Sequence, residues 1–236
     1  MMWRMVLDDL YYGVKSGFKY ISKYFMYYLF IYFLGILPLT MKVPGRYLPL
    51  YYAGMVPMIL AIFLTIIYGE DVGALFFCPF SESDRKQYFL ISWGMRVLLP
   101  TLSCLLFEGV FCVMGFISPK SAFLCLLTVM FFSAVMGLQR GFMNRSAAKQ
   151  NRISSGFLAW EVVILFLGII TMCFLGAVVG DMEEPRFTGM EVEIMFVLFF
   201  LHGVAAIFVI LRYVKPAMEY IIYYEKVERG KESSAD

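Results

Sequence analysis

The sequence predicts an all-α fold: a polytopic membrane protein with six transmembrane helices, an N-terminal amphipathic elbow helix and both termini in the cytosol. Three observations predict it. First, 61% of the 236 residues are hydrophobic and only 16% are charged, against about 45–50% and about 25% in soluble domains. A water-soluble fold of 27.2 kDa would still need a polar surface, so the natural solvent for this much apolar surface is lipid. Second, the apolar residues fall in long continuous runs. Backbone groups in lipid must bond internally, which leaves helices or closed barrels, and these runs lack the alternation of barrel strands. Third, the basic residues segregate to alternate connections between the runs.

Residues 1–20 come first. Trp3, Leu7, Leu10, Val14 and Phe18 recur at steps of three or four, with Arg4, Asp8, Asp9 and Lys15 between them. That spacing predicts an amphipathic helix. It either lies on the membrane surface as an elbow or forms the polar start of the first span. The scattered charges leave no short apolar core before a cleavage site, so the segment does not read as a signal peptide.

A span needs about 20 mostly apolar residues. The runs place spans at about 22–41, 47–68, 88–117, 121–139, 157–180 and 192–213, within a transmembrane domain of residues 21–214. Tyr24, Tyr27 and Tyr28 suit the interface at one end of the first span. Ser118, Pro119 and Lys120 make a tight turn between the third and fourth. Pro100 removes a backbone donor inside the third and predicts a kink. Residues 140–156 form a basic loop, 181–191 an acidic turn, and 215–236 a charged tail.

Positive charge sets the orientation. With both termini in the cytosol, 15 of the 20 basic residues lie inside, including Arg85, Lys86, Arg140, Arg152, Arg212 and Lys215. Only Lys42, Arg46, Lys120 and Arg186 lie outside, and Arg96 falls within a span. An odd number of spans would spoil this split.

Ionisable residues inside spans are candidates for function because burial in lipid is costly. Arg96, Glu108 and His202 are the candidate intramembrane polar site. Arg96 and Glu108 share one helix but stand about 18 Å apart at 1.5 Å per residue, so they do not pair. Arg96 either snorkels to the cytosolic face or meets substrate. Glu108 faces a cavity, a partner subunit or the outer interface. His202 serves as an interhelical hydrogen-bonder or as a proton relay. Glu161 is placed near headgroup water. The five cysteines, Cys78, Cys104, Cys112, Cys125 and Cys173, show no metal-ligand spacing. They read as small apolar side chains, and no metal is expected. A net charge of +2 provides no field for nucleic acid.

Residues 69–87 form the first sizeable polar connection. Phe76, Phe77, Pro79 and Phe80 lead into Ser81, Glu82, Ser83, Asp84 and Arg85. Ser81 or Ser83 can cap a short helix whose first turn is acidic. This layout resembles the permease subunits of type-2 ATP-binding-cassette exporters: an amphipathic helix, two spans, the segment CPFSESDRKQYFLISW, then four more spans. The resemblance implies that Pro79, Phe80, Ser81, Glu82, Ser83, Asp84 and Arg85 form a cytosolic coupling helix that touches an ATPase subunit. It further implies a second permease chain, as homodimer or heterodimer, and a place in a cell membrane, that of a bacterial cytoplasm. The outer turn 181–191 is shorter than is common in that family. The chain contains no GxxxxGK[ST] phosphate cradle, so ATP and Mg²⁺ are expected on the partner ATPase and this chain is not itself an enzyme. The expected cargo is apolar or amphiphilic.

Two other classes remain open. One is a membrane scaffold or accessory subunit without transport activity. The other is an intramembrane enzyme. Glu183, Glu184, Arg186 and His202 resemble the Glu-Glu, Arg and His elements of glutamic-type membrane proteases, but the spacing differs, the acidic pair lies in an outer turn, and there is no second histidine.

Overall fold

A computed structural model describes residues 3–8, 11, 31–40, 48–67, 81–138, 152–178 and 189–222. All elements among them are helical. Five are long: α1 (Leu48–Ile67), α2 (Glu82–Val113), α3 (Pro119–Leu138), α4 (Arg152–Val178) and α5 (Gly189–Ile222). Before them, a π-helical stretch (Ile31–Ile36) runs into a short α-helical one (Leu37–Thr40). Tyr52 ties that segment to α1 by donating its hydroxyl to the Leu34 carbonyl at 3.0 Å.

The helix ends follow local sequence chemistry. Ser81 caps α2: its hydroxyl accepts from the Asp84 amide at 3.2 Å, and the Asp84 carboxylate accepts from the Ser81 amide at 3.2 Å. This reciprocal pair satisfies two amide donors that the first helical turn leaves free. At the other end, the Gly115 amide bonds the Cys112 carbonyl and the Phe116 amide bonds the Phe111 carbonyl, at 3.0 and 2.9 Å. That is a Schellman closure, which needs a left-handed residue after the cap; Gly115 supplies φ +76°. Its customary apolar contact is the edge-on pair Phe111–Phe116, with centroids 6.5 Å apart. Ser118 then caps α3 by accepting from the Ser121 amide at 3.2 Å, and Pro119 opens the helix, where no amide donor is needed. The helix continues through Pro100, while Thr101 donates to the Val97 carbonyl at 2.6 Å.

Side-chain pairs reveal the helix directions. The Trp93 indole donates to the Ala134 carbonyl at 2.9 Å, and Cys104 lies beside Cys125, so α2 and α3 run antiparallel. Phe157 meets Tyr213 at 5.4 Å and Trp160 meets Phe208 at 5.3 Å, which makes α4 and α5 antiparallel. Gly54 sits against Cys125 and Met172, while Met58 and Phe132 meet at Gly168. Helix α1 is therefore parallel to α3 and antiparallel to α4. The five helices alternate in direction. One end of the bundle carries Ser81, Leu138, Arg152 and Ile222; the other carries Leu48, Val113, Pro119, Val178 and Gly189.

The core is apolar and shared by all five long helices, with Tyr51, Met55, Met58, Phe132, Phe157, Ile164, Met172 and Val209 buried in one cluster. Facing outward are Leu102, Leu105, Leu106, Phe123, Phe166, Phe200 and Leu211, all exposed. Arg96, Glu108, Glu161 and His202 are buried. An apolar exterior around buried ionisable groups inverts the usual arrangement in water, and an apolar surface of this extent marks contact with something other than solvent.

Among the described residues, three helical stretches are long and apolar enough to cross a membrane: Glu82–Val113, Pro119–Leu138 and Phe196–Glu219. Leu48–Ile62 and Gly156–Met172 are shorter apolar stretches. The N-terminal residues 3–8 are helical, and Val6 packs with Tyr88, Ile91 and Met95 on α2. Trp3, Leu7 and Tyr11 remain exposed. The rest of the elbow, most of the first expected span and the charged tail beyond residue 222 lie outside the described residues.

Candidate functional site

Helix α2 carries most of the candidate polar residues on one row. Tyr88, Ser92, Arg96, Pro100, Cys104 and Glu108 are all buried and recur every fourth residue. Such a row forms a single ridge on a helix surface. It runs from the capped end of α2 toward the Schellman turn, so one face of one helix connects the Ser81–Arg85 turn with Glu108.

At the capped end, Ser81, Glu82, Ser83 and Lys86 are exposed, whereas Asp84 and Arg85 are half-buried. The sequence suggested a short separate helix here. The structure instead makes Glu82–Arg85 the opening of the 32-residue α2, because the capping box leads directly into a run with no breaker before Pro100. Pro79 and Phe80 lie outside the described residues. At 1.5 Å per residue α2 is about 48 Å long, against about 30 Å for a hydrocarbon core. Its first turns, with Glu82, Asp84, Arg85 and Lys86, are its polar end.

Near the other end, Cys104, Glu108 and Cys125 each present a donor atom, and the three atoms lie within 4.8 Å of one another. Cys104 Sγ is 4.0 Å from Cys125 Sγ, and Cys125 Sγ is 3.9 Å from Met172 Sδ. Both cysteines are free thiols with no exposure. Glu108 is 2% exposed, and its Oε1 has no hydrogen-bond partner among the described residues. Gly54 of α1 lines the same spot: a Cβ there would overlap Met172 Sδ and lie 3.1 Å from Cys125 Sγ. A larger residue there would force Met172 to move and press on Cys125.

One turn along the same interface is His202, fully buried, with neither ring nitrogen hydrogen-bonded among the described residues. It lies beside Gly168, where Met58 and Phe132 also pack.

Several expectations change. Arg96 does not snorkel: it is 2% exposed and packed where α2 meets Gly137 of α3, since its row faces the bundle rather than the surroundings. Glu161 is buried on the α4 face that also carries Phe157 and Ile164, not in contact with solvent. Among the described residues His202 makes no interhelical hydrogen bond, and Met58 and Phe132 share its place at Gly168. The cysteines are not all isolated apolar fillers. Cys104 and Cys125 are 21 residues apart and meet across two helices, which linear spacing does not reveal.

No protein-family model, curated protein or solved structure matches the chain. The class defined by the fold is an all-α protein with, among the described residues, three helices long and apolar enough to cross a membrane, which points to a multi-pass membrane location.

Proposed function

We propose that the chain is the membrane-spanning permease subunit of an ATP-driven exporter, with six spans and both termini in the cytosol. The Ser81–Arg85 turn carries this reading. It is an ordered, capped, largely exposed turn at the start of a helix whose buried face continues to the centre of the bundle. A partner ATPase gripping that turn moves the whole of α2, because a hydrogen-bonded helix transmits displacement along its axis. Closure of paired ATPases on ATP then shifts the bundle between facing states.

Charge and direction support the same orientation. The described basic residues Arg85, Lys86, Arg212 and Lys215 cluster toward the Ser81 end of the bundle, and Lys120 stands at the opposite end. Basic residues favour the cytosolic side. The alternating helix directions fit a chain threaded back and forth through lipid. The Val6 contact to Tyr88 holds the N-terminal helix beside the same turn, with Trp3 and Leu7 outward toward the interface. The cargo is an apolar or amphiphilic molecule, and a second permease chain completes the path.

Affinity purification in mild detergent, with mass spectrometry of bound proteins, tests the reading. An ATP-binding-cassette ATPase should co-purify, and Arg85→Glu should reduce its recovery without changing membrane insertion. Purification of the chain with no ATPase, from cells in which it is expressed at its native level, would refute the assignment.

A further inference from the structure

We propose that Cys104, Cys125 and Met172 form a binding site for a soft monovalent metal ion, Cu(I) or its analogue Ag(I), with Glu108 beside it. The site is independent of the exporter reading. Thiolate and thioether sulfur select Cu(I) among available ions, whereas Mg²⁺ and Ca²⁺ require oxygen. Zn²⁺ draws on thiolate, imidazole and carboxylate, usually four of them, and a thioether is a poor fourth ligand for it.

The spacing fits an ion. Two sulfurs each about 2.3 Å from a metal, the usual thiolate distance, stand roughly 3.8–4.0 Å apart when their angle at the metal is tetrahedral or trigonal. The observed separations are 4.0 Å for Cys104–Cys125 and 3.9 Å for Cys125–Met172. A disulfide requires about 2.05 Å, so the thiols are placed for a shared ligand rather than for a bond to each other. The donors come from three helices, α2, α3 and α4, and Gly54 of α1 closes the fourth side.

The Glu108 carboxylate is the second indication. It is nine-tenths and more buried, one of its oxygens has no partner among the described residues, and it lies within 4.8 Å of both thiol sulfurs. Each ligating thiol gives up its proton. Both protons leave to the medium on binding. Cys125, Met172 and Gly54 each lie six residues from the helix end nearest the Schellman turn, which is about 9 Å at 1.5 Å per residue. Three of the surrounding residues thus lie about two turns from that face.

The test uses full-length protein in detergent with Cys78→Ser, Cys112→Ser and Cys173→Ala, so that only the two proposed thiols remain. Cu(I) is offered under reducing conditions in competition with a chromogenic Cu(I) chelator, and bound copper is counted by mass spectrometry. We expect one copper per chain. Removing an outer-shell partner of a metal site weakens binding by about 10–100-fold. Cys104→Ser or Cys125→Ser should exceed that loss, and Met172→Leu should weaken binding by about tenfold. Gel filtration identifies any variant that fails to fold. For such a variant, a rise in the melting temperature of the three-substitution background on adding Ag(I), but not Zn(II), is the deciding result. Equal copper retention by a folded Cys104→Ser/Cys125→Ser double variant would overturn the proposal. So would a Cys104–Cys125 disulfide in membranes quenched with acid and alkylated before lysis.

Discussion

Replacing Gly54 by valine should destabilise the bundle, whereas replacing Gly94 by alanine should stabilise it. Both glycines are in helices, and both gain helix propensity on substitution, Gly being about 0.8–1.0 kcal/mol worse than Ala. The surroundings decide the sign. Around Gly94 a Cβ would meet nothing within 4 Å. At Gly54 it would overlap Met172 Sδ and stand 3.1 Å from Cys125 Sγ, inside the usual contact distance of about 3.5–4.0 Å. Met172 can change rotamer, but it is almost fully buried, and Cys125 is too short to retreat. The two further methyls of valine enlarge the conflict. Overpacking of this kind costs about 1–3 kcal/mol. At about 2–4 °C per kcal/mol for a chain of this size, Gly54→Val should melt about 2–12 °C lower and Gly94→Ala about 2–4 °C higher. In a Cys78→Ser, Cys112→Ser, Cys173→Ala background a thiol-reactive fluorogenic dye reads this in detergent, because the two remaining thiols, Cys104 and Cys125, are inaccessible until the helices part. If Gly54→Val melted with the native protein, the close approach of α1 to α3 and α4 would be wrong, and the sulfur cluster would lose its fourth wall.

Ser81→Ala removes the hydroxyl that accepts the Asp84 amide; it should cost about 0.5–2 kcal/mol and speed hydrogen exchange at Asp84. His202→Leu replaces a buried imidazole that has no hydrogen-bond partner among the described residues; since an unmade bond to a buried polar group costs about 1–3 kcal/mol, the variant should melt at the same temperature or higher, and a lower melting temperature would indicate an undetected partner. Phe132→Ala empties a fully buried site where α1, α3 and α4 meet; a loss of about 3–5 kcal/mol is expected, measured by thermal unfolding. In the background lacking Cys78, Cys112 and Cys173, Ser83→Cys in sealed cells should resist membrane-impermeant maleimide and react only after permeabilisation; labelling from outside would reverse the orientation and remove the coupling role of Ser81–Arg85.

Much of the helical layout could be read directly from the chain. The runs around Leu48–Ile67, Pro119–Leu138 and Arg152–Val178 are continuous, apolar and bounded by polar punctuation. The α2–α3 connection was legible in Ser118-Pro119, whose backbone preferences act within a few residues; the earlier stop at Gly115 was not, and the sequence places the third span through residue 117. A capping serine was legible for the same reason, as Ser81 or Ser83, and the structure chooses Ser81. Its consequence was not: whether the capped turn stands alone or opens a longer helix depends on what continues after it, and here helix formation proceeds unbroken to Val113.

What the sequence by itself determined is the local and one-dimensional part. It set helical runs, some of their caps, their apolar character and the segregation of basic charge. A backbone without water to bond must bond to itself within a few residues, so composition along the chain suffices for these. Only the tertiary structure decided which side chains meet. It turned Arg96 and Glu161 inward, left His202 among apolar neighbours, and brought Cys104, Glu108, Cys125 and Met172 together from three helices. Those contacts depend on how each helix is rotated about its axis and on the space left by Gly54 at one crossing. Both are settled by packing between distant segments, and no spacing along the chain records them.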